Sequence, residues 1–490
     1  MKFKLQFHLL ALMLIGYSSY SQIGIGTTNP AASAMLEIQS TNQGLLTPRM
    51  TTAQRIAIAS PANGLLVYDT NLASFYYYET SAWVKINSGR DSRLNYKLLR
   101  PDNFTTALAT ELSNGGNSKY LLDPNTLYEV NGTLTLPFPI ELNNAYIIGL
   151  DSGDDKLIRT TGDLFTGATG GSIRVLTLQA GGNVFNLTGT GAQSLILRDC
   201  IVQSSGNVGT ISNFALVFVS IVNYVSNTNG IVYNTIGRLL LSNAAWFSNN
   251  SGKYETLTGT FSLVTKQGGF SEVTGTNIGF DVSGNPTITG DAVIESTVFS
   301  GALTTGKYIN GYTSGSYSGF NFNNNWSIIS PGVITEGDSQ ATGTTYSTAQ
   351  VAINTYPSTS NTKLPISSSY ASANLFRTTA TQPNRITYAG RKGRIFQVSA
   401  AVSFDYIITN VLSNGNTEYT FFFVKVPASG AVEPQVASEI MIDTNAGFIQ
   451  AFPIQGAVYL NSGDSVELWF RRSTNGNQSF RVRTFNMTMR

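Results

Sequence analysis

Between about Ile173 and Val282 one apolar pattern returns every 21 to 24 residues, and this period constrains the fold more than any other feature of the chain. A hydrophobic-x-hydrophobic unit recurs at Ile173/Val175, Leu195/Leu197, Leu216/Phe218, Leu239/Leu241 and Phe261/Leu263, with steps of 22, 21, 23 and 22. A second series starts at Val184, Val208, Ile231, Tyr254 and Ile278, with steps of 24, 23, 23 and 24. Within each unit the alternation is that of a strand with one face on a core. Gly, Asn, Ser and Thr between the units suit turns. Short strands at a fixed spacing of about 22 residues describe the coils of a parallel β-helix, stacked roughly 4.8 Å apart.

Composition agrees with a repetitive all-β chain. Charged residues make up 12% of the 490, about half the ~25% usual in globular proteins. Polarity comes instead from Ser, Thr, Asn and 47 glycines, while 11% aromatics is too many for a disordered chain.

The first residues have the pattern of an export signal. Lys2 and Lys4 precede an apolar run, Leu5 to Gly16, and Ser19-Tyr20-Ser21 is a small-x-small cleavage site. Cleavage near Ser21-Gln22 would release a secreted, extracellular or cell-surface protein; the run is too short to span a membrane. The formal charge of +2 depends on Lys2 and Lys4, so the mature chain has no basic excess to attract nucleic acid. The only histidine, His8, lies in the signal, which leaves no imidazole for a triad or for zinc. Cys200 is the only cysteine, so no intrachain disulfide can form. Its position in Leu195-x-Leu197-x-x-Cys200 points inward, equivalent to Ala244 and Thr297 in later coils, and reads as a buried filler rather than a reactive thiol.

Residues 23–88 read as a compact preface. Met35–Ile38 is a short strand, and Thr51 followed by Gln54 is a capping box for a helix that would carry Ile56 and Ile58 and end near Ser60-Pro61. Gly64–Thr70, Phe75–Tyr78 and Trp83–Ile86 follow as strands. The aromatic run Phe75–Tyr78 suits packing inside the module better than carbohydrate stacking. The text IGIGTTNPAASAMLEIQSTNQGLLTPRMTTAQRIAIASPANGLLVYDT, followed by YYYETSAWVKI, resembles a module at the start of many secreted bacterial surface proteins that look like phage tail fibres. That resemblance implies a fibrous, often trimeric appendage, and no reaction.

Residues 90–165 lead into the coils. Phe104, Leu108 and Leu112 fall on one face of a short helix that could close the open end of a β-helix. The stretch YEVNGTLTLPFPIELNNAYIIG resembles the first coils of tailspikes and pectate-lyase-like proteins, a likeness that reaches to about residue 335. Enzymes of that superfamily use an acidic cluster for calcium with a nearby Arg or Lys as base. The densest acidic group is Asp151, Asp154 and Asp155, followed by Lys156 and Arg159; it reads as a solvated loop rather than a cation site. For a glycoside hydrolase two carboxylates must meet within roughly 5–10 Å, and Asp281, Glu295 and Asp199 are the candidates. Asp199, Asn243 and Ser296 hold equivalent turn positions, where a hydrogen-bonded ladder is the expectation. GYTSGSYSGFNFNNNWSIISPG is a looser last coil whose core Trp326 and Phe320 would cap.

From about residue 346 the period is lost. Phe396, Val398, Ala400, Val402, Phe404 and Tyr406 alternate, whereas Tyr419–Val426 is apolar on both faces. The stretch GAVYLNSGDSVELWF and a terminal strand, Phe480–Met489, resemble complement- and tumour-necrosis-factor-like trimeric heads and C-terminal domains of phage tail proteins. That likeness implies a two-sheet jelly roll with the last strand near a trimer's centre. Arg471, Arg472, Arg481, Arg483 and Arg490 make this end basic, as surface charge or as a grip for an acidic glycan or a partner subunit.

The expected fold is therefore all-β: a right-handed parallel β-helix with about 22-residue coils, a C-terminal jelly-roll β-sandwich and a small mixed N-terminal module. The expected divisions are 1–21 signal peptide, 22–90 module, 91–337 β-helix with a helical cap, 338–348 linker and 349–490 jelly roll. The expected function is a homotrimeric, tailspike-like surface protein in adhesion or in binding a surface polysaccharide or glycan receptor, without nucleic acid or a membrane span. The alternative is a polysaccharide lyase or glycoside hydrolase on the same scaffold. No residue is assigned as catalytic, cofactor-binding or metal-ligating, and no cofactor is implied.

Overall fold

In the computed structural model the described residues are 22–86, 94–352, 359–407, 417–444, 448–473 and 479–490. The expected signal segment, residues 1–21, lies outside them. The chain divides between Leu94 and Asn95 into two compact units.

The first unit is built from very short elements. Ile23–Ile25 pairs in parallel with Leu36–Ile38, and Arg49–Met50 pairs with Leu66–Asp69 in a sheet continued by Ser74–Glu79 and Ala82–Lys85. The capping box forms: the Thr51 hydroxyl accepts from the Gln54 N–H and the Gln54 side chain accepts from the Thr51 N–H. The helix is nevertheless only Thr52–Ile56, shorter than its apolar spacing suggested, and Ile56 is exposed. Its one buried residue, Arg55, is held by Asp69 at 2.9 Å and lies over the Tyr76 ring at 3.9 Å. Tyr78 meets Trp83 edge-on, so part of the aromatic run packs within the sheet while Phe75 stays exposed.

The second unit opens with a three-faced parallel β-helix. Face 1 begins at Tyr96–Leu99 and continues through Leu127–Val130, Tyr146–Ile148, Gly171–Arg174 and residues 194–198, 216–220, 238–242, 263–267 and 291–295, ending at Trp326–Ile329. Face 2 runs from Thr133–Thr135 to Val298–Ser300 and face 3 from Tyr120–Leu121 to Lys307–Asn310. In the central coils single long strands, Asn207–Val225 and Asn229–Trp246, run through two corners and contribute to all three faces.

The period seen in the sequence is the pitch of these coils, and Leu195, Val217, Leu239 and Val264 lie in register on face 1, all buried. Three of the sequence markers are out of register. Ile173 pairs with Leu197 rather than Leu195, two residues along, which puts Val175 at a corner. Leu216 aligns with Ser194 and Arg238, one residue off the inward column, so Leu216 and Phe218 point outward and only Val217 and Val219 reach the core. Phe261 precedes the register position by three residues and pairs with Ile288. A coil apolar on both faces gives no alternation from which to tell inside from outside.

The first open end is closed as expected. Phe104 and Leu108 are buried against the first coils and Leu112 packs partly there, although the helix is split into Phe104–Ala107 and Ala109–Asn114. At the other end Trp326 is buried and donates to the Tyr312 hydroxyl at 3.0 Å, while Phe320 stacks on Phe376 of the C-terminal sheets. Cys200 sits in one inward column with Val222 and Ala244, and burial pushes its thiol up to about 12, as a structural filler requires.

A hydrogen-bonded ladder exists, but at another corner. Asp199, Ile221 and Asn243 align at the corner between faces 1 and 2, where apolar Ile221 breaks any chain of side-chain bonds and Asp199 pairs with Arg198 instead. At the corner between faces 2 and 3 the ladder runs inward through Ser205, Asn227, Asn250 and Asn277. The Asn227 carbonyl oxygen accepts from the Ser205 N–H at 3.1 Å, and the Asn250 oxygen accepts the Asn227 N–H and amide at 3.0 Å each. The Asn277 oxygen accepts from the Gly252 N–H at 2.9 Å and its amide donates to the Asn250 carbonyl. These amides satisfy backbone groups that a tight buried turn leaves without a ladder partner.

Beyond the coils, residues 338–348, expected as a linker, hold a short 3-10 turn and the strand Thr342–Ser347, which pairs with Ala371–Phe376 and Ser479–Met489. Together with Arg394–Ile407 and Gln450–Leu460 they form one antiparallel sheet. A second sheet centres on Thr417–Val426 and Ser465–Arg472. The two close on one core containing Phe396, Val398, Val402, Phe421, Phe423, Leu468 and Met487, a β-sandwich arrangement. Phe422 and Val424 are buried on the opposite side of their strand, as the doubly apolar sequence requires. The side chain of Tyr406 lies outside the described residues.

One feature of the β-helix core has no counterpart in its sequence pattern. Lys266 occupies the inward column of Leu197, Val219, Leu241 and Ile294, and Glu255 that of Phe185, Ile231 and Phe280. Both are 1% exposed and meet at 2.8 Å, with the Trp246 indole donating to the other Glu255 oxygen at 3.1 Å. Removing one partner strands a buried charge; removing both leaves two apolar columns unbroken. Lys266→Met alone is expected to destabilise by roughly 3–5 kcal/mol. Lys266→Leu with Glu255→Ile is expected within about 2 kcal/mol of the parent, the residual being the Trp246 N–H left without an acceptor. Urea unfolding of the three proteins checks this, and a double variant as unstable as the single would refute it.

Candidate functional site

A groove lies on face 3 of the β-helix, where successive coils turn amides and hydroxyls outward beside a row of glycines. Successive coils place Asn183, Asn207 and Asn229 in one outward column and Asn186, Thr210, Val232 and Thr256 in the next. Lys253 continues the first column one coil further. The resulting groove of about 430 Å³ has its floor at Gly209, Gly230 and Gly252. Side chains there would fill the floor and collide with backbone: Gly209 has φ +118 and a Cβ would strike the Phe185 carbonyl, and one at Gly230 would strike that of Tyr254.

The groove's electrostatics are set at its two ends. Asp163 accepts from the Asn183 N–H and amide at 2.8 Å each and from the Asn186 amide at 2.8 Å. Asp281 is buried, pairs with Lys253 at 2.6 Å and accepts from Asn310 at 3.0 Å. Burial alone would raise both carboxyls. The Asn183 and Asn186 donors outweigh it at Asp163, as Lys253 and Ser283 do at Asp281, and both are held below the ordinary value. Between them lie amides, hydroxyls and one ammonium, chemistry that matches a surface of hydroxyl groups. Asn229 donates to Asn207 at 3.0 Å, which orients the middle of the column.

The acidic candidates from the sequence are not brought together. Asp155 is buried and caps turns, accepting from the N–H groups of Gly132, Leu150 and Asp151; Asp151 accepts from that of Gly153. Among the described residues no group of three or more His, Cys, Asp or Glu could hold a metal ion. Glu295 is on face 1, Asp281 on face 3 and Asp199 at a corner. The C-terminal arginines are mostly committed within the chain. Arg471 grips Glu439 with two bonds, and Arg481 and Arg483 both pair with Asp405.

A second cavity, about 300 Å³, lies where the last coil meets the C-terminal sheets. Its charges are already paired: Asp338 accepts from Arg377 at 2.6 Å and from the N–H groups of Arg391 and Lys392, while Arg391 reaches back to Asp291 at 2.8 Å. This cluster clamps sandwich to shaft. The groove itself was not singled out from the sequence, although N-x-x-N at Asn183/Asn186 and the recurrence of Asn at 207 and 229 carried the signal.

Comparison with known proteins gives one family match and several structural likenesses. Residues 24–103 match the family model described as the phage tail like trimerisation region. No curated protein matches the chain. Among solved structures, the chain is similar to tailspike protein 4 of bacteriophage CBA120 (enzymatically active domain) at 11% identity, covering 91% of this chain and 77% of that one, with a TM-score of 0.22. It is similar to tailspike gp49 of Acinetobacter baumannii bacteriophage Fri1, a capsular polysaccharide depolymerase, at 9% identity, covering 90% and 98%, with a TM-score of 0.20. The Eiger TNF of S. frugiperda is 11% identical over 30% of this chain and 90% of its own, with a TM-score of 0.21.

The lowered Asp281 carboxyl ties the groove to pH. A carboxyl depressed in the folded state contributes stability above its ordinary value of 3.8 that is lost as pH falls through the folded value. Asp281→Asn is expected to lower stability by on the order of 2 kcal/mol at neutral pH. The gap should close only as pH falls through the depressed value in the folded protein, once the parent carboxyl is also protonated. Thermal unfolding at a series of pH values measures it, and a pH-independent gap would contradict the ion-pair account.

Proposed function

We propose that this chain is a secreted, homotrimeric, tailspike-like surface protein that uses the β-helix as a rigid shaft and binds a surface polysaccharide along the face 3 groove. The observation that carries the trimer is the balance of apolar surface in the region matching the trimerisation family. Between residues 22 and 86 a single apolar side chain, Val67, is buried. Ile23, Ile25, Met35, Leu36, Leu45, Leu46, Ile56, Leu72, Phe75 and Ile86 are all exposed. A segment with that balance has almost no core of its own, and association with further copies supplies one.

Polysaccharide binding rests on the groove's chemistry. Asn amides donate and accept, as Thr hydroxyls do, and so match sugar hydroxyls on both sides of a hydrogen bond. The groove crosses several coils and is open along its length, which suits a chain polymer rather than a small enclosed ligand. Export is supported by the N-terminal pattern of lysines, apolar run and small-residue cleavage site.

Light scattering on the secreted full-length protein is expected to return three times the mass of the 52.7 kDa chain less its signal. A monomer would overturn the trimer. Titration with a panel of bacterial and algal polysaccharides tests the groove: Asn207→Ala and Asn229→Ala should each weaken binding about 5–10-fold, the worth of one neutral hydrogen bond. Unchanged affinity in both variants would move the ligand off face 3. Shortening of the polysaccharide in the same mixtures would replace binding by depolymerisation.

A further inference from the structure

Faces 1 and 2 each carry apolar side chains in an outward column beside polar ones, such as Arg198, Ser220, Ser242 and Gln267 on face 1, whereas the groove side of face 3 is lined mainly by amides and hydroxyls. On face 1 Ile196, Phe218 and Leu240 stack in one outward column, all half-buried in the single chain. On face 2 Phe270 and exposed Val298 lie in register in the outward column. The two faces meet at the corner of Asp199, Ile221 and Asn243. Ile221 is anomalous there twice over: it is 49% exposed, and at φ +54 it occupies the left-handed region that a β-branched residue avoids. Val175, two coils away in the same column with Asp199 between, has φ +53. The corner imposes this backbone in successive coils, with Asp199 at φ +55 and Asn243 at +52, so the choice of a β-branched apolar side chain at Ile221 calls for a separate reason.

We infer that the shaft assembles about a three-fold axis with face 1 of one copy packed on face 2 of the next, the Ile221 corner at the axis and face 3 turned outward. The occupant of each apolar face is thus a second copy of this chain. Closed three-fold symmetry needs a heterologous contact, in which each subunit offers two different patches. A three-sided shaft with an apolar outward column on each of two adjacent faces meets that requirement and leaves the groove of face 3 accessible. The trimerisation match also reaches into the shaft, since residues 24–103 include Tyr96–Leu99, the first strand of face 1. At the axis, three Ile221 side chains would cover one another, which accounts for an apolar residue at a strained, exposed corner. The inference rests on the trimer reading above and adds which surfaces meet.

Single-cysteine variants of the full-length protein test it, because native Cys200 is buried. Phe218→Cys on face 1, Phe270→Cys on face 2 and Thr210→Cys on face 3 replace residues of the same exposure class in the single chain. In the native particle the first two are expected to react with a maleimide at least about ten-fold more slowly than Thr210→Cys, and all three equally in urea. Particles co-assembled from Phe218→Cys and Phe270→Cys chains should cross-link with a short bismaleimide, whereas particles of either variant alone should not. Leu240→Cys and Val298→Cys repeat the test at other coils should the first pair fail to fold. Equal labelling of all three faces in a particle of trimer mass would overturn this arrangement and leave the trimer standing. Cross-linking of Phe218→Cys to itself would overturn it in favour of a face 1 to face 1 contact. A monomer by light scattering would remove both.

Discussion

Each coil of this shaft is hydrogen-bonded along its backbone to the coil on either side, and that geometry governs everything placed upon it. The bonds fix the register, and the register fixes which residue of each coil faces inward. Leu195, Val217, Leu239 and Val264 can share one column only because the chain between them has nearly constant length. Where the length changes, the ladder adjusts locally: Thr289 and Gly290 enter the strand against Phe261 and Leu263, and the register shifts there without disturbing the inward column. In-register stacking then sorts side chains by type. Tyr224 lies on Trp246 with ring centroids 3.9 Å apart and interplanar angle 7°, and Trp246 lies on Tyr254 at 5.1 Å. Aromatic stacks of this kind extend along the axis, so the core gains order in the direction in which the coils are added.

The same rule explains why a buried charge pair is tolerable in one place. Lys266 and Glu255 come from different faces of the prism, and only a fixed register brings their columns opposite each other at the same height. A shift of one residue in either strand would turn one of the two charges toward solvent and leave the other buried without its partner. The pair is thus weak as a source of stability and strong as a penalty on misregister, which is where a repetitive fold is most exposed to error.

The period and the inward filler positions were legible in the sequence because they depend on the spacing of apolar residues along the chain. Cys200 and Ala244 were aligned correctly from spacing, and the caps at Phe104, Leu108 and Trp326 follow from apolar residues where the repeat ends. Leu216 and Phe218 were misread as inward because Val217 and Val219 beside them are equally apolar. The asparagine ladder was missed for a related reason. Polar turn residues occur at every corner, and only the backbone decides whether Asn227 and Asn250 turn in while Asn243 turns out. The groove was hidden because its floor is the absence of side chains at Gly209, Gly230 and Gly252, and its walls are residues that read as ordinary solvated positions. The stretch 338–348 looked like a linker because it is polar, but Asp338 spends that polarity on Arg377, Arg391 and Lys392 and joins two bodies rather than separating them.

The two units place opposite demands on assembly. In the coils each strand pairs with neighbours about one turn away in sequence, so most of the apolar surface is buried within one chain and the order of the coils needs no partner. The N-terminal module buries Val67 and little else that is apolar, so its strands have no comparable reason to hold their arrangement in a single chain. Stability there is tied to chain concentration, whereas in the shaft it is tied to register. A shaft whose register is set within one chain presents the same outer surface on every copy. Each later contact between copies then forms between surfaces already ordered, with less conformational entropy left to lose.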